Sequence, residues 1–200
     1  PSIFNKAIGG STDYVPAMRA SVARGGSPKD VFERIAITDI QMAADVLYSV
    51  YQETDGADGF VSLEVSPYLA YDAEGTIEEA ERLWTEVARE NVMIKIPATE
   101  AGLLAIEHCI RVGINVNVTL LFAVETYEAV AWAYIKGLEK RVAQGADISR
   151  VSSVASFFIS RIDALVEKRF DESFDAADTE TKALYQRPSN NPKVRISRCD

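Results

Sequence analysis

Two hundred residues, 48% hydrophobic and 26% charged, are the length and composition of an ordinary soluble globular chain with a core inside one domain. A formal net charge of -9 argues against a nucleic-acid partner, because phosphate backbones are gripped by clustered Lys and Arg. No apolar run reaches the roughly 18 residues of a membrane span, and no basic-then-apolar leader opens the chain, so neither membrane insertion nor secretion is expected.

Cys109 and Cys199 form no CxxC pair and are joined by a single histidine, His108, which indicates neither a disulfide framework nor a zinc site. A reducing, cytoplasmic setting is the expectation. The opening Pro1-Ser2, without methionine, is compatible with processing or with a start inside a longer protein.

In chain order, residues 1–56 are expected to be mainly helical. Ser27-Pro28-Lys29-Asp30 reads as an N-cap with proline at the first helical position, and Thr38-Asp39-Ile40-Gln41 reads as the restart of a helix reaching about Tyr51. Gly59 to Val65 is the first expected strand. Thr76 and Glu79 form a T-x-x-E capping box ahead of Ile77, Ala80, Leu83, Trp84 and Val87 at helical spacing. Val92 to Pro97 follows as a strand buried on both faces. Thr99 then caps a helix carrying Leu103, Leu104, Ile106 and Ile110, with Gly113 as its stop. Ile114 to Thr119 is the third strand, about Val124 to Ala143 a helix ended by Gly145, and Val151 to Ser156 the fourth strand. Tyr185 to Lys193, polar and broken by prolines, reads as an unpacked tail.

Apolar strands alternating with amphipathic helices indicate an α/β fold with a parallel sheet. The units suit part of a (β/α)8 barrel, although a doubly wound sheet shares the pattern. A complete barrel typically needs about 250 residues.

Polar residues inside buried strands are the candidates for chemistry, since barrel sites are built at the C-terminal ends of strands. Lys95 is the foremost. A cation in an apolar strand must be paired or neutral, and a neutral lysine amine is a nucleophile toward carbonyls. Glu64 is a carboxylate between apolar neighbours, suited by burial to proton transfer. Asn115, Asn117 and Thr119 share one strand face by period-two alternation, Ser156 ends the fourth strand, and Arg161 follows within a turn, placed to hold a phosphate. Plainer readings exist: a snorkelling or ion-paired Lys95, a structural Glu64–Lys95 bridge, a solvent-facing Asn115, Asn117 and Thr119, and a solvated Arg161. His108 and Cys109 read as structural. What sets the group apart is one polar residue on each successive strand, with a lysine among them.

Four segments in order carry a family resemblance: Val61-Ser62-Leu63-Glu64-Val65, Met93-Ile94-Lys95-Ile96-Pro97-Ala98-Thr99, Gly113-Ile114-Asn115-Val116-Asn117-Val118-Thr119-Leu120-Leu121-Phe122, and Ala155-Ser156-Phe157-Phe158-Ile159-Ser160-Arg161-Ile162-Asp163. They resemble the successive active-site strands of transaldolases, over about residues 1 to 175. The resemblance implies strands about 3 to 6 of a TIM barrel, with residues 1–180 as a partial barrel domain and 181–200 as a polar, basic tail.

It also implies transfer of a dihydroxyacetone unit between ketose and aldose phosphates of the pentose phosphate pathway, through a lysine Schiff base and with no metal or organic cofactor. Lys95 would be the Schiff-base lysine. Glu64 and Thr119 would position and activate a water, Asn117 would bind the intermediate, Ser156 would line the pocket, and Arg161 would grip the substrate phosphate.

Family members carry an aspartate base on the first barrel strand and a substrate-binding asparagine at the end of the second, both of which would precede Pro1. The resemblance stops around Phe174, before the seventh and eighth strands, and Thr181 to Asp200 matches no family element. The expectation is a fragment with an aberrant tail, exposed strand edges and little or no transferase activity alone. Two other functions share these residues: a related Schiff-base sugar-phosphate aldolase, and a non-catalytic sugar-phosphate-binding or interaction protein. Oligomeric state is not legible in the sequence.

Overall fold

The computed structural model describes residues 2–185. In chain order the elements are α1 (Ser2–Gly10), α2 (Val15–Ala23), α3 (Pro28–Glu53), β1 (Val61–Glu64), a 3-10 turn (Pro67–Leu69), α4 (Ala73–Val87), β2 (Val92–Pro97), α5 (Glu100–Val112), β3 (Val116–Leu121), α6 (Val124–Ala143), β4 (Ser153–Phe157), α7 (Ile159–Ala176) and α8 (Thr179–Tyr185). The four strands form one parallel sheet in the order β1-β2-β3-β4. This is a section of a TIM barrel. Among the described residues, no helix is long and apolar enough to cross a membrane.

The core lies between one face of the sheet and helices α3 to α6. Leu63, Val92, Ile94, Ile96, Val116 and Val118 fill it from the strands. Ile37, Ile40, Leu83, Val87, Ile106, Ile110 and Val130 meet them from the helices. β1 to β3 are covered on this side, whereas β4 has a largely open surface and α7 contributes no buried residue. The burial stabilising the sheet is therefore concentrated in its first three strands, at roughly 25 cal/mol per Å2 of apolar surface removed from water.

Local signals explain most boundaries. Ser27 caps α3 by a reciprocal box with Asp30, and Pro28 occupies its first turn. The Ser27 hydrogen bonds hold the Asp30 carboxyl below the usual carboxylate range. Thr99 caps α5 through Gly102 N–H at 2.9 Å. Gly102 is required there: a Cβ would sit 2.0 Å from the Pro97 carbonyl oxygen. Gly113 ends α5 in the left-handed conformation, φ 91°.

Four expectations need correction. Thr38 does not restart a helix, because α3 runs unbroken through it and Thr38 Oγ1 donates back to the Arg34 carbonyl. Asp72, not Thr76, caps α4 by accepting from Gly75 N–H at 3.0 Å; Thr76 and Glu79 lie within the helix and are buried. Leu104 is exposed, since it stands about 200° around α5 from Ile106 and so faces away from the core stripe. The third strand continues to Leu121, because an irregularity between Val118 and Leu121, with Leu120 at φ 62°, flips Leu120 outward and returns Leu121 to the core.

At the C-terminal end, α8 crosses the expected boundary at residue 180, so Thr181 to Tyr185 are helical. The expected unpacked tail beyond Tyr185, and Cys199 with it, lie outside the described residues.

Candidate active site

Strand alternation builds the site. Residues two apart along a strand share a face, so β1 directs Ser62 and Glu64 away from the helices, β2 directs Met93 and Lys95, β3 directs Asn117 and Thr119, and β4 directs Val154 and Ser156. Register then aligns them. Glu64 pairs with Lys95, Lys95 with Asn117, and Asn117 with Val154, giving one row across four strands, while Thr119 pairs with Pro97 two residues further along.

The strand is buried on both faces as expected, Met93 included, but Lys95 itself is only half-buried. Ile94 and Ile96 are fully buried against the helices, but Lys95 points to the opposite, open face, where its side chain is 27% exposed and that of Glu64 36%. Lys95 Nζ lies 3.8 Å from Glu64 Oε2. That separation lets the charges attract without a direct hydrogen bond, leaving the amine and the carboxylate free to engage a third group. The expected bridge is present in this loose form.

Asn117 is held at both ends of its amide. Its Nδ2 donates to Ser62 Oγ at 3.0 Å, and its Oδ1 accepts from Ser156 Oγ at 2.7 Å. Ser62 escaped the sequence reading, although strand alternation places it on the same face as Glu64. Thr119 is buried, and among the described residues its Oγ1 and Asn91 Oδ1 are the buried side-chain polar atoms without a hydrogen-bond partner. Asn115, by contrast, is structural: its Nδ2 donates to the Glu90 and Val92 carbonyls, and its Oδ1 accepts from Ser152 N–H.

Arg161 stands apart from this row, exposed in the first turn of α7, with its guanidinium carbon 4.6 Å from the Phe158 ring centroid. Phe158 in turn stacks on Phe122 beyond the end of β3. His108 and Cys109 lie on α5, in the helix layer. His108 meets Glu81 at 2.7 Å and Arg111 at 3.0 Å, and Cys109 is buried in the core.

The loop following Glu64 is anchored from three directions. Glu79 Oε1 accepts from Ser66 N–H, Thr76 Oγ1 donates to the Leu69 carbonyl, and Thr99 Oγ1 donates to the Ala70 carbonyl. A cavity of about 490 Å3 opens on the face bearing the row, toward the N-terminal ends of the strands, and includes Ser62, Met93, Asn117 and Tyr134 in its wall. The larger cavity, about 520 Å3, lies between α2 and α3, away from the row.

An amine, a carboxylate, a doubly held amide and three hydroxyls thus occupy adjoining positions on one sheet face. The sequence pattern of the family described as transaldolase/fructose-6-phosphate aldolase matches residues 1–191. The chain belongs to the transaldolase/fructose-6-phosphate aldolase family.

Its relatives include transaldolase 2 of Nostoc punctiforme, 52% identical over 164 residues, which cover 82% of this chain and 43% of the relative. The transaldolase of Trichodesmium erythraeum is 49% identical over 181 residues, covering 90% and 48%. That of Acidothermus cellulolyticus is 48% identical over 172 residues, covering 86% and 46%. The chain therefore spans less than half the length of these transaldolase relatives.

Proposed function

We propose that this chain carries the imine-forming part of a transaldolase, acting on ketose and aldose phosphates in the cytoplasm. The observation that carries the reading is the register row itself: Lys95 stands between Glu64 and Asn117 on adjacent parallel strands, with its amine on the open face.

In this reading the Lys95 amine adds to the ketose carbonyl carbon, giving a carbinolamine that loses water to form a protonated imine. The imine draws in the electron pair left when the neighbouring carbon–carbon bond breaks. A general base takes the proton of the hydroxyl on the departing carbon, the departing aldose phosphate becomes an aldehyde, and an enamine of three carbons stays on Lys95. Addition of the enamine to an acceptor aldose phosphate and hydrolysis of the new imine complete the transfer.

Glu64 and Thr119 are assigned to the water lost and regained at the imine carbon. The 3.8 Å gap between Glu64 and Lys95 and the unpartnered Thr119 hydroxyl support that role. Asn117 is assigned to the hydroxyls of the intermediate, Ser156 to the same pocket wall through its bond to Asn117, and Arg161 to the phosphate.

The test is borohydride trapping on the purified chain with fructose 6-phosphate. Reduction fixes the imine as a stable secondary amine, and peptide mass spectrometry is expected to place it on Lys95. Loss of the adduct in Lys95→Met supports the assignment, and a folded chain that forms no adduct refutes it.

A further inference from the structure

We propose that Ser62 is a positioning residue for Asn117, an assignment that rests on the imine reading above. β1 and β3 are not neighbours; β2 runs between them. With strands about 4.8 Å apart, their backbones are separated by about 10 Å, yet the Asn117 amide and the Ser62 hydroxyl meet at 3.0 Å. Ser62 is the register partner of Met93 and Asn117 that of Lys95, so this bond crosses β2 diagonally between the lysine and the residue two before it. Together with the Ser156 bond it forms a hydrogen-bonded bar from β1 to β4 beneath the lysine, flanked by the cavity that Ser62 and Asn117 both line.

The amide chemistry gives the bar its purpose. An asparagine side chain has two N–H donors and an oxygen with two lone pairs, and the terminal torsion that aims them is soft. Held only by Ser156, the amide plane rotates about that torsion. Held at both ends, it is fixed, with one N–H and one lone pair left over. A sugar hydroxyl is both donor and acceptor and matches that remaining pair. Ser62 thus sets in advance the orientation in which Asn117 meets the hydroxyls of a ketose bound at Lys95, without itself touching the reacting atoms.

The experiment combines two readouts on the 200-residue chain with Ser62→Ala, Ser62→Thr and Ser62→Cys. In the ligand-free protein, the Asn117 side-chain amide resonances, assigned by their loss in Asn117→Asp, are expected to move toward exposed-amide positions in Ser62→Ala and to return in Ser62→Thr. In borohydride trapping, the fructose 6-phosphate concentration giving half-maximal adduct is expected to rise about five- to tenfold in Ser62→Ala, the weight of one hydrogen bond, with the maximal trapping rate little changed. Ser62→Thr is expected to restore it. Ser62→Cys, close in volume but weak as an acceptor, is expected to follow Ser62→Ala and so separates hydrogen bonding from space filling.

Unmoved Asn117 resonances in Ser62→Ala would overturn the proposal. So would an unchanged half-maximal concentration in a chain that still traps the ketose, and this result would leave the imine reading standing. Absence of any adduct in the unsubstituted chain would overturn the imine reading, and the role of Ser62 with it.

Discussion

Glu79 accepts the backbone N–H of Ser66 at 2.5 Å, which ties the middle of α4 to the chain two residues past Glu64. The same carboxylate meets Lys29 of α3 at 3.1 Å and Arg82 of its own helix at 3.8 Å. Its side chain is only 10% exposed, whereas the Lys29 side chain is 57% exposed, so the backbone bond is the stronger part of the arrangement. Glu79→Ala leaves the Ser66 N–H without its partner and is expected to lower unfolding stability by about 1–3 kcal/mol. Glu79→Gln, which keeps an acceptor oxygen, is expected to lose less. Urea denaturation followed by far-UV circular dichroism measures both, and equal losses would reassign the stabilisation to the charge pairs.

Lys95→Met separates chemistry from architecture. The Lys95–Glu64 pair is partly exposed and 3.8 Å long, a geometry that contributes little to folding. Removing the amine is expected to change stability by less than about 1 kcal/mol while abolishing the borohydride-trapped adduct. A loss of several kcal/mol would instead mark the lysine as a structural ion-pair partner.

Legibility in the sequence tracked how local the physics was. Ser27, Thr99 and Gly113 declare helix ends through bonds to residues a few positions away, and each stands where the sequence places it. A cation inside an apolar run singled out Lys95, and strand periodicity singled out Asn117, which the fold makes register partners. What escaped was decided at a distance. Thr76 and Glu79 have the spacing of a capping box, but their polar atoms serve Leu69 and Ser66, while Asp72 caps the helix. Solvent access at Lys95 depends on which sheet face the helices cover, and no property of a single strand reveals that. Alternation places Ser62 on the face of Glu64, but its bond to Asn117 forms only because the fold brings β1 and β3 together across β2.

Cys109 supplies a pH dependence. Burial pushes its thiol up to about 12, with the nearby negative charge of Glu81 adding to the effect. The folded value lies above the unfolded one, so the unfolded chain releases this proton first as pH rises. The thiol therefore leaves stability unaffected at neutral pH and lowers it above about pH 9, by about 1 kcal/mol between pH 9 and 10. In a Cys199→Ser background, Cys109 is expected to resist a thiol reagent at pH 8 until denaturant is added. Cys109→Ala is expected to flatten the alkaline limb of the stability profile, measured by urea melts from pH 7.5 to 10. Rapid native labelling would contradict the burial.

Asn115 and Asn117, two residues apart, are expected to respond in opposite ways. Asn115 is buried and bonds three backbone groups, at the Glu90 and Val92 carbonyls and the Ser152 N–H, joining the starts of β2, β3 and β4. Asn115→Ala strands those groups and is expected to lower stability by about 3 kcal/mol, without altering the ketose concentration for half-maximal trapping in the fraction that stays folded. Asn117 bonds only two serine hydroxyls, which can turn to other partners when the amide is removed. Asn117→Ala is expected to lower stability by about 1 kcal/mol and to raise the half-maximal trapping concentration at least tenfold. Urea melts and adduct formation on the same two variants read both quantities. If Asn117→Ala lost as much stability as Asn115→Ala and trapped the ketose unchanged, the amide would belong to the architecture rather than to the site.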